Sequence, residues 1–167
     1  MLMKSAILVM ACATLPLLLA GCQQAKVVTD GSFFSDDSME MSLEVARRTF
    51  SVGETFDVAI RARNISRQPI TIRARSGAPV YLHVNRFTAL GEDEFKTFPR
   101  AATMVMSAWT IQPGEERTFV LTLAVEADWP RNEPLKLIAE LNGYSGLMPC
   151  TTIRVLPQTP PASPAGK

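Results

Sequence analysis

Between Met41 and Val155 apolar side chains recur on every second residue within run after run, and that alternation restricts the chain to half-buried antiparallel strands. In "MSLEVAR" Met41, Leu43 and Val45 share one side, with Ser42 and Glu44 opposite. "TFDVAIRARN" sets Phe56, Val58, Ile60 and Ala62 on one face and Asp57, Arg61 and Arg63 on the other. The pattern resumes in "ITIRAR", "VYLHVN", "TFVLTLAV", "PLKLIAEL" and "TTIRVLP". Turn residues separate these runs: Val52-Gly53-Glu54, "ISRQP", "SGAP" and Pro113-Gly114. The last is a type II signal, because Pro presets φ and Gly accepts the positive φ that follows. About seven to nine short strands over roughly 115 residues predict an all-β fold, an immunoglobulin-like antiparallel β-sandwich spanning residues 40–157. The stretch from Arg86 to Trp109 is less regular; it reads as a loop around Gly91 to Glu94 and a strand at Thr103 to Ala108.

The opening of the chain follows a different rule. Lys4 is a positive n-region, Ser5 to Leu19 an apolar run, and Ala20-Gly21 the small residues that precede a cleavage point. A run of about 15 residues falls short of the roughly 20 that a membrane-spanning helix needs, and Pro16 interrupts it. Residues 1–21 therefore read as a signal peptide. Leu19-Ala20-Gly21-Cys22 resembles the lipobox of bacterial lipoproteins, which implies lipidation of Cys22 and an anchor in the membrane. Each buried CH₂ of an acyl chain contributes ~0.8 kcal/mol, so several chains at one cysteine hold firmly. Gln23 after the cysteine implies the periplasmic face of the outer membrane in a Gram-negative host. Residues 22–39 then read as a tether, in which the paired Phe33-Phe34 either docks on the domain or meets a partner. The Pro-rich "QTPPASPAGK", residues 158–167, reads as a disordered tail.

Charge is nearly balanced, 17 Lys+Arg against 16 Asp+Glu, which gives no electrostatic reason for a nucleic-acid partner. Of the three cysteines, Cys12 and Cys22 lie in the signal and box, leaving Cys150 in the folded part. One thiol closes no internal disulfide, so packing alone must hold the core.

Three features in order extend the resemblance: "FSVGETFDVAIRARNISRQPI", then "VYLHV", then "WTIQPGE" leading into a strand. Together they resemble bacterial immunoglobulin-like domains of the intracellular proteinase inhibitor (BsuPI-like) family. The likeness covers Leu43 to Val155 and implies, as one alternative, inhibition of a proteinase through an exposed loop at residues 88–101.

Groups for catalysis are sparse. The sole histidine, His83, lies mid-strand on the outward face, and with Cys150 it cannot supply a tetrahedral zinc set. "GYSGL" lacks the spacing of a nucleophile elbow. The acidic clusters at Asp36, Asp37 and Glu40 and at Glu92, Asp93 and Glu94 lack calcium-loop spacing. The expectation is a protein that is not an enzyme, with no cofactor and no metal. Arg61, Arg63, Arg73 and Arg75 point away from the core. As hairpin neighbours they would make a forked anion site; in separate sheets they would sit on opposite outer faces beside Glu44, Glu116 or Glu140. The predicted contacts for a protein partner in the cell envelope are Phe95, Phe98, Trp129 and Arg131, on loops at the sandwich ends. The alternative for these aromatics is that they close the sandwich ends.

Overall fold

The computed structural model describes residues 32–157, and these form strands and turns with no helix among them. In chain order the strands are β1 (Ser32–Ser35), β2 (Met39–Val45), β3 (Thr49–Phe50), β4 (Thr55–Asn64), β5 (Ile70–Ala74), β6 (Val80–Thr88), β7 (Gly91–Phe98), β8 (Ser107–Ile111), β9 (Glu116–Ala124), β10 (Pro134–Leu141) and β11 (Cys150–Val155). One sheet has the order β1-β2-β4-β9, the other β3-β11-β10-β6-β7, and β5 pairs with β8 as a two-stranded ribbon. Layers of β2-β4-β9 and β6-β10-β11 match the A-B-E and C-F-G layers of an immunoglobulin sandwich. The chain is an all-β, immunoglobulin-like sandwich.

Alternation became burial as expected. In β4 Phe56, Val58, Ile60 and Ala62 are buried while Asp57, Arg61 and Arg63 face water. Met41, Leu43 and Ile60 from one sheet share a core with Leu82, Leu137 and Ile153 from the other. Each large side chain so buried stabilises the fold by roughly 1.5–3 kcal/mol. A one-residue slip of β4 would send this apolar set into water and the arginines into the core, so the register is strongly specified.

Asn64 governs the corner where both sheet strands hand over to the ribbon. Its Nδ2 donates to the carbonyls of Gln68 (2.8 Å) and Ile111 (2.9 Å), and its Oδ1 accepts from the Ser66 amide (2.9 Å) and Ser66 Oγ (2.8 Å). A fully buried amide side chain requires such complete pairing. The Asn64-Ile65-Ser66 segment is thus a turn built around one side chain. Nearby, Pro113-Gly114 makes the expected type II turn: Gly114 has φ 77° and the Glu115 amide donates to Gln112 O at 2.9 Å.

Four local readings are corrected. The described residues contain eleven strands, more than the seven to nine expected, because β1 and β3 are too short to display a period and β7 lacks one. The last part of the expected tether, residues 22–39, is not free: β1 pairs with β2, and Phe34 lies opposite Met41. Asp36 Oδ1 closes that hairpin by accepting from the amides of Ser38 and Met39, each at 2.7 Å. The expected loop at Gly91 to Glu94 is the start of edge strand β7; a register shift at Val84/Asn85 obscures its alternation. The strand anticipated at Thr103 to Ala108 begins instead at Ser107. The signal 1–21, the lipidation residue Cys22, the first part of the tether and the tail 158–167 lie outside the described residues.

Candidate functional site

The four predicted partner contacts fall at the end of the sandwich where β7 meets the segment before β10. Trp129 is 1% exposed. It meets Phe95 edge-on (ring centroids 6.2 Å) and Phe56 likewise (6.3 Å), and Phe56 stacks on Phe50 at 3.9 Å. Trp129 is therefore core and cannot touch a partner, which corrects that expectation. Phe95 and Phe98 are half-buried and pack on the core. Lys96 Nζ lies over the Phe95 and Trp129 rings (5.0 and 5.7 Å) and reaches Glu126 (2.6 Å) and Asp128 (2.7 Å). Arg100 also pairs with Glu126 and covers the Phe98 ring at 5.6 Å. Hydrogen bonds from Lys96 and then Arg100 hold the Glu126 carboxyl below its ordinary pKa. These aromatics close the sandwich end under a lid of ion pairs. Only Arg131 of the four is exposed, beside Val155 in a parallel bridge.

Exposed apolar surface occurs elsewhere. Met104, Val105 and Met106, between β7 and β8, are 90%, 67% and 74% exposed. Their segment is fixed at both ends: the Gly77 amide donates to Thr103 O at 2.8 Å, and Ser107 Oγ donates to Ser76 O at 3.3 Å. Reading 103–108 as a strand hid this, since alternation would have placed part of it inward.

The arginines separate into two groups. Arg61 pairs with Glu44 (3.2 Å) and Glu116 (3.6 Å), and Arg63 reaches Glu40 at 3.9 Å. Those two lie on the outer face of β4. Arg73 and Arg75 belong to β5 and the residue after it, in the ribbon, so the pairs do not converge. Among the described residues neither Arg73 nor Arg75 has an ion-pair partner. They line an open cleft of about 410 Å³ with Glu140, Asn142, the turn 143–146 and Met148.

His83 is half-buried rather than a plain surface residue. Its Nδ1 lies 2.8 Å from Glu94 and 3.0 Å from Thr97 Oγ1, and its Nε2 lies 3.2 Å from Glu140. The carboxylates come from β7 and β10, flanking His83 on β6, a juxtaposition that linear sequence does not show. Two carboxylates of the second acidic cluster are consumed similarly: Glu92 pairs with Lys136 (2.8 Å) and Glu94 with His83. Among the described residues no three His, Cys, Asp or Glu side chains are grouped to hold a metal ion.

Tyr144, in the turn after β10, donates to Asp36 Oδ2 at 2.8 Å. Burial, then the hydrogen bond and charge of Asp36, push its phenol up to about 12 from 10.0. Burial pushes the Asp36 carboxyl up, but donors from Ser38, Tyr144 and Met39 outweigh it and leave it below its ordinary value. Since folding raises the Tyr144 pKa, its contribution to stability is complete below pH 10.0 and is lost as pH rises through about 12. Tyrosinate absorbance should therefore show Tyr144 ionising late. Tyr144→Phe should abolish the late step and flatten the fall of Tm over that window. A late step that survives in Tyr144→Phe would refute the assignment.

Together the fold and surface define an immunoglobulin-like sandwich with an apolar loop and an arginine-lined cleft at one end. No protein-family model and no curated protein matches the chain. Among solved structures it is similar to the sporulation control protein Spo0M of Bacillus subtilis, at 18% identity and a TM-score of 0.52, covering 74% of this chain and 51% of that one. It is also similar to the alkylpurine DNA glycosylase AlkC of Pseudomonas fluorescens (12% identity, TM-score 0.48, 72% and 31% covered). A third is a β-glucosidase of Listeria innocua (15%, 0.43, 74% and 17%). The chain spans about half the length of the first and less than a third of the other two. At 18% identity the likeness to Spo0M is one of fold alone.

Proposed function

We propose that the chain is a lipid-anchored, non-enzymatic module of the bacterial cell envelope that binds a protein partner through the loop at residues 99–106. Met104-Val105-Met106 is the observation that carries the reading. Three successive apolar side chains stand in water on a segment tied at both ends, and contiguous exposed apolar surface marks interaction sites. Methionine suits such a surface because its flexible thioether adapts to a partner's shape. The sequence Leu19-Ala20-Gly21-Cys22, after an apolar run, supports attachment through Cys22. An anchored domain needs no spanning segment, and among the described residues no helix is long and apolar enough to cross a membrane.

Intact mass of the protein purified from membranes tests the anchor: the first mature residue should be Cys22 carrying acyl chains, and Cys22→Ala should release the domain from the membrane fraction. Site-specific photo-crosslinking at Val105 in intact envelope tests the surface. A discrete adduct is expected, reduced at least about tenfold when Met104 and Met106 become Ser. An adduct undiminished in that variant would take the methionines out of the binding surface, and none at Val105 when Arg131 gives one would move the partner surface to the other end of the sandwich.

A further inference from the structure

We propose that Arg73 and Arg75 form a forked binding site for an oxyanion, a carboxylate or phosphate group on a small polar ligand. The two side chains sit two residues apart on one edge of the ribbon, about 7 Å apart along a strand. At that spacing two guanidinium forks can converge on a single anionic group.

The backbone beneath them is clamped. Asn142 is 4% exposed; its Oδ1 accepts the Arg75 amide at 3.2 Å, while its Nδ2 donates to Ser76 Oγ (2.9 Å) and Ala78 O (2.8 Å). Gly143 lies so close to Arg73 that a Cβ there would be 2.3 Å from the Arg73 carbonyl oxygen. One turn thus holds the backbone that carries both arginines, which sets the spacing of the two side chains at the cleft. The cleft they line, about 410 Å³, falls within the roughly 300–1,000 Å³ of small-ligand sites.

Charge accounting favours an anion. Arg61 and Arg63 are each met by carboxylates; among the described residues Arg73 and Arg75 are not. The one carboxylate in the lining, Glu140, is engaged by His83 Nε2 at 3.2 Å. Two guanidiniums therefore face an opening with a single shared negative charge. Gly146 lines the cleft with nothing within 4 Å of where its Cβ would stand, so a ligand can approach the turn's backbone. None of this depends on the loop at 104–106 or on the lipid anchor.

The test is an NMR titration of the full chain in nonionic detergent micelles, following the arginine Nε–Hε and the backbone amide resonances. The probes are inorganic phosphate, glycerol phosphate and acetate. Saturable shifts confined to Arg73, Arg75 and residues 142–146 are expected with at least one probe, and the tighter probe identifies phosphate or carboxylate as the preferred group. Arg73→Gln with Arg75→Gln should weaken binding at least about tenfold, whereas Arg61→Gln with Arg63→Gln, an equal loss of charge on β4, should leave it unchanged. Arg73→Lys with Arg75→Lys keeps the charge and removes the fork, and should also weaken it. The proposal is overturned if no probe saturates, if the β4 variant weakens binding equally, or if the lysine variant binds as tightly as the parent.

Discussion

Trp129→Ala is expected to lower the free energy of unfolding by about 3–5 kcal/mol, read from urea denaturation with the slope unchanged. The ring is buried against Phe56 and Phe95 under the ammonium of Lys96, so alanine leaves a cavity there. Among the described residues its Nε1 has no hydrogen-bond partner. Trp129→Phe therefore forfeits volume but no bond, and should cost about 1–2 kcal/mol. Arg131→Ala, two residues on and exposed, should stay within about 0.5 kcal/mol of the parent. This ranking separates a core residue from a contact residue. A cost below about 1 kcal/mol for Trp129→Ala would restore Trp129 as a candidate partner contact.

The same residue shows where sequence stops being legible. Strands β2, β4, β6, β9, β10 and β11 could be read because one face of each meets the core and the other meets water, so burial is written as a period of two. Type alone does not say whether an aromatic outside such a run is an anchor or a plug. Trp129 follows "EAD" and precedes Pro130, a setting with every mark of an exposed loop. It is buried because Lys96, Glu126 and Asp128 supply the polar lid over it. β7 stayed hidden for a related reason. Its carboxylates look like loop residues until Lys136 and His83, 44 and 11 residues away, are placed against them. The anion cleft was half legible: the arginines stood out, and immunoglobulin topology offered separate sheets as one arrangement of the two pairs, whereas β5 lies in the ribbon with β8. Glu44, Glu116 and Glu140 were the expected neighbours, but which pair they would neutralise was not legible: the paired sheet brings Glu40, Glu44 and Glu116 to Arg61 and Arg63.

Gly143→Ala should be the most damaging change outside the core. Gly143 has φ +92°, a conformation that costs an L-residue about 1–2 kcal/mol. The added methyl would also stand 2.3 Å from Arg73 O, 2.7 Å from Arg73 C and 3.1 Å from Ala74 N. All three are backbone atoms, so no side-chain rotation makes room; either the turn or β5 must move. Gly146→Ala isolates the two effects, because Gly146 has φ +109° with nothing within 4 Å of its Cβ position. It should lose only the conformational part, about 1–2 kcal/mol, while Gly143→Ala should lose at least about twice that. Hydrogen exchange locates the damage. The Arg75 amide, held by Asn142 Oδ1, should lose protection in Gly143→Ala and keep it in Gly146→Ala. Equal losses in the two variants would mean that the turn does not rest on β5, and the clamp beneath Arg73 and Arg75 would have no physical basis.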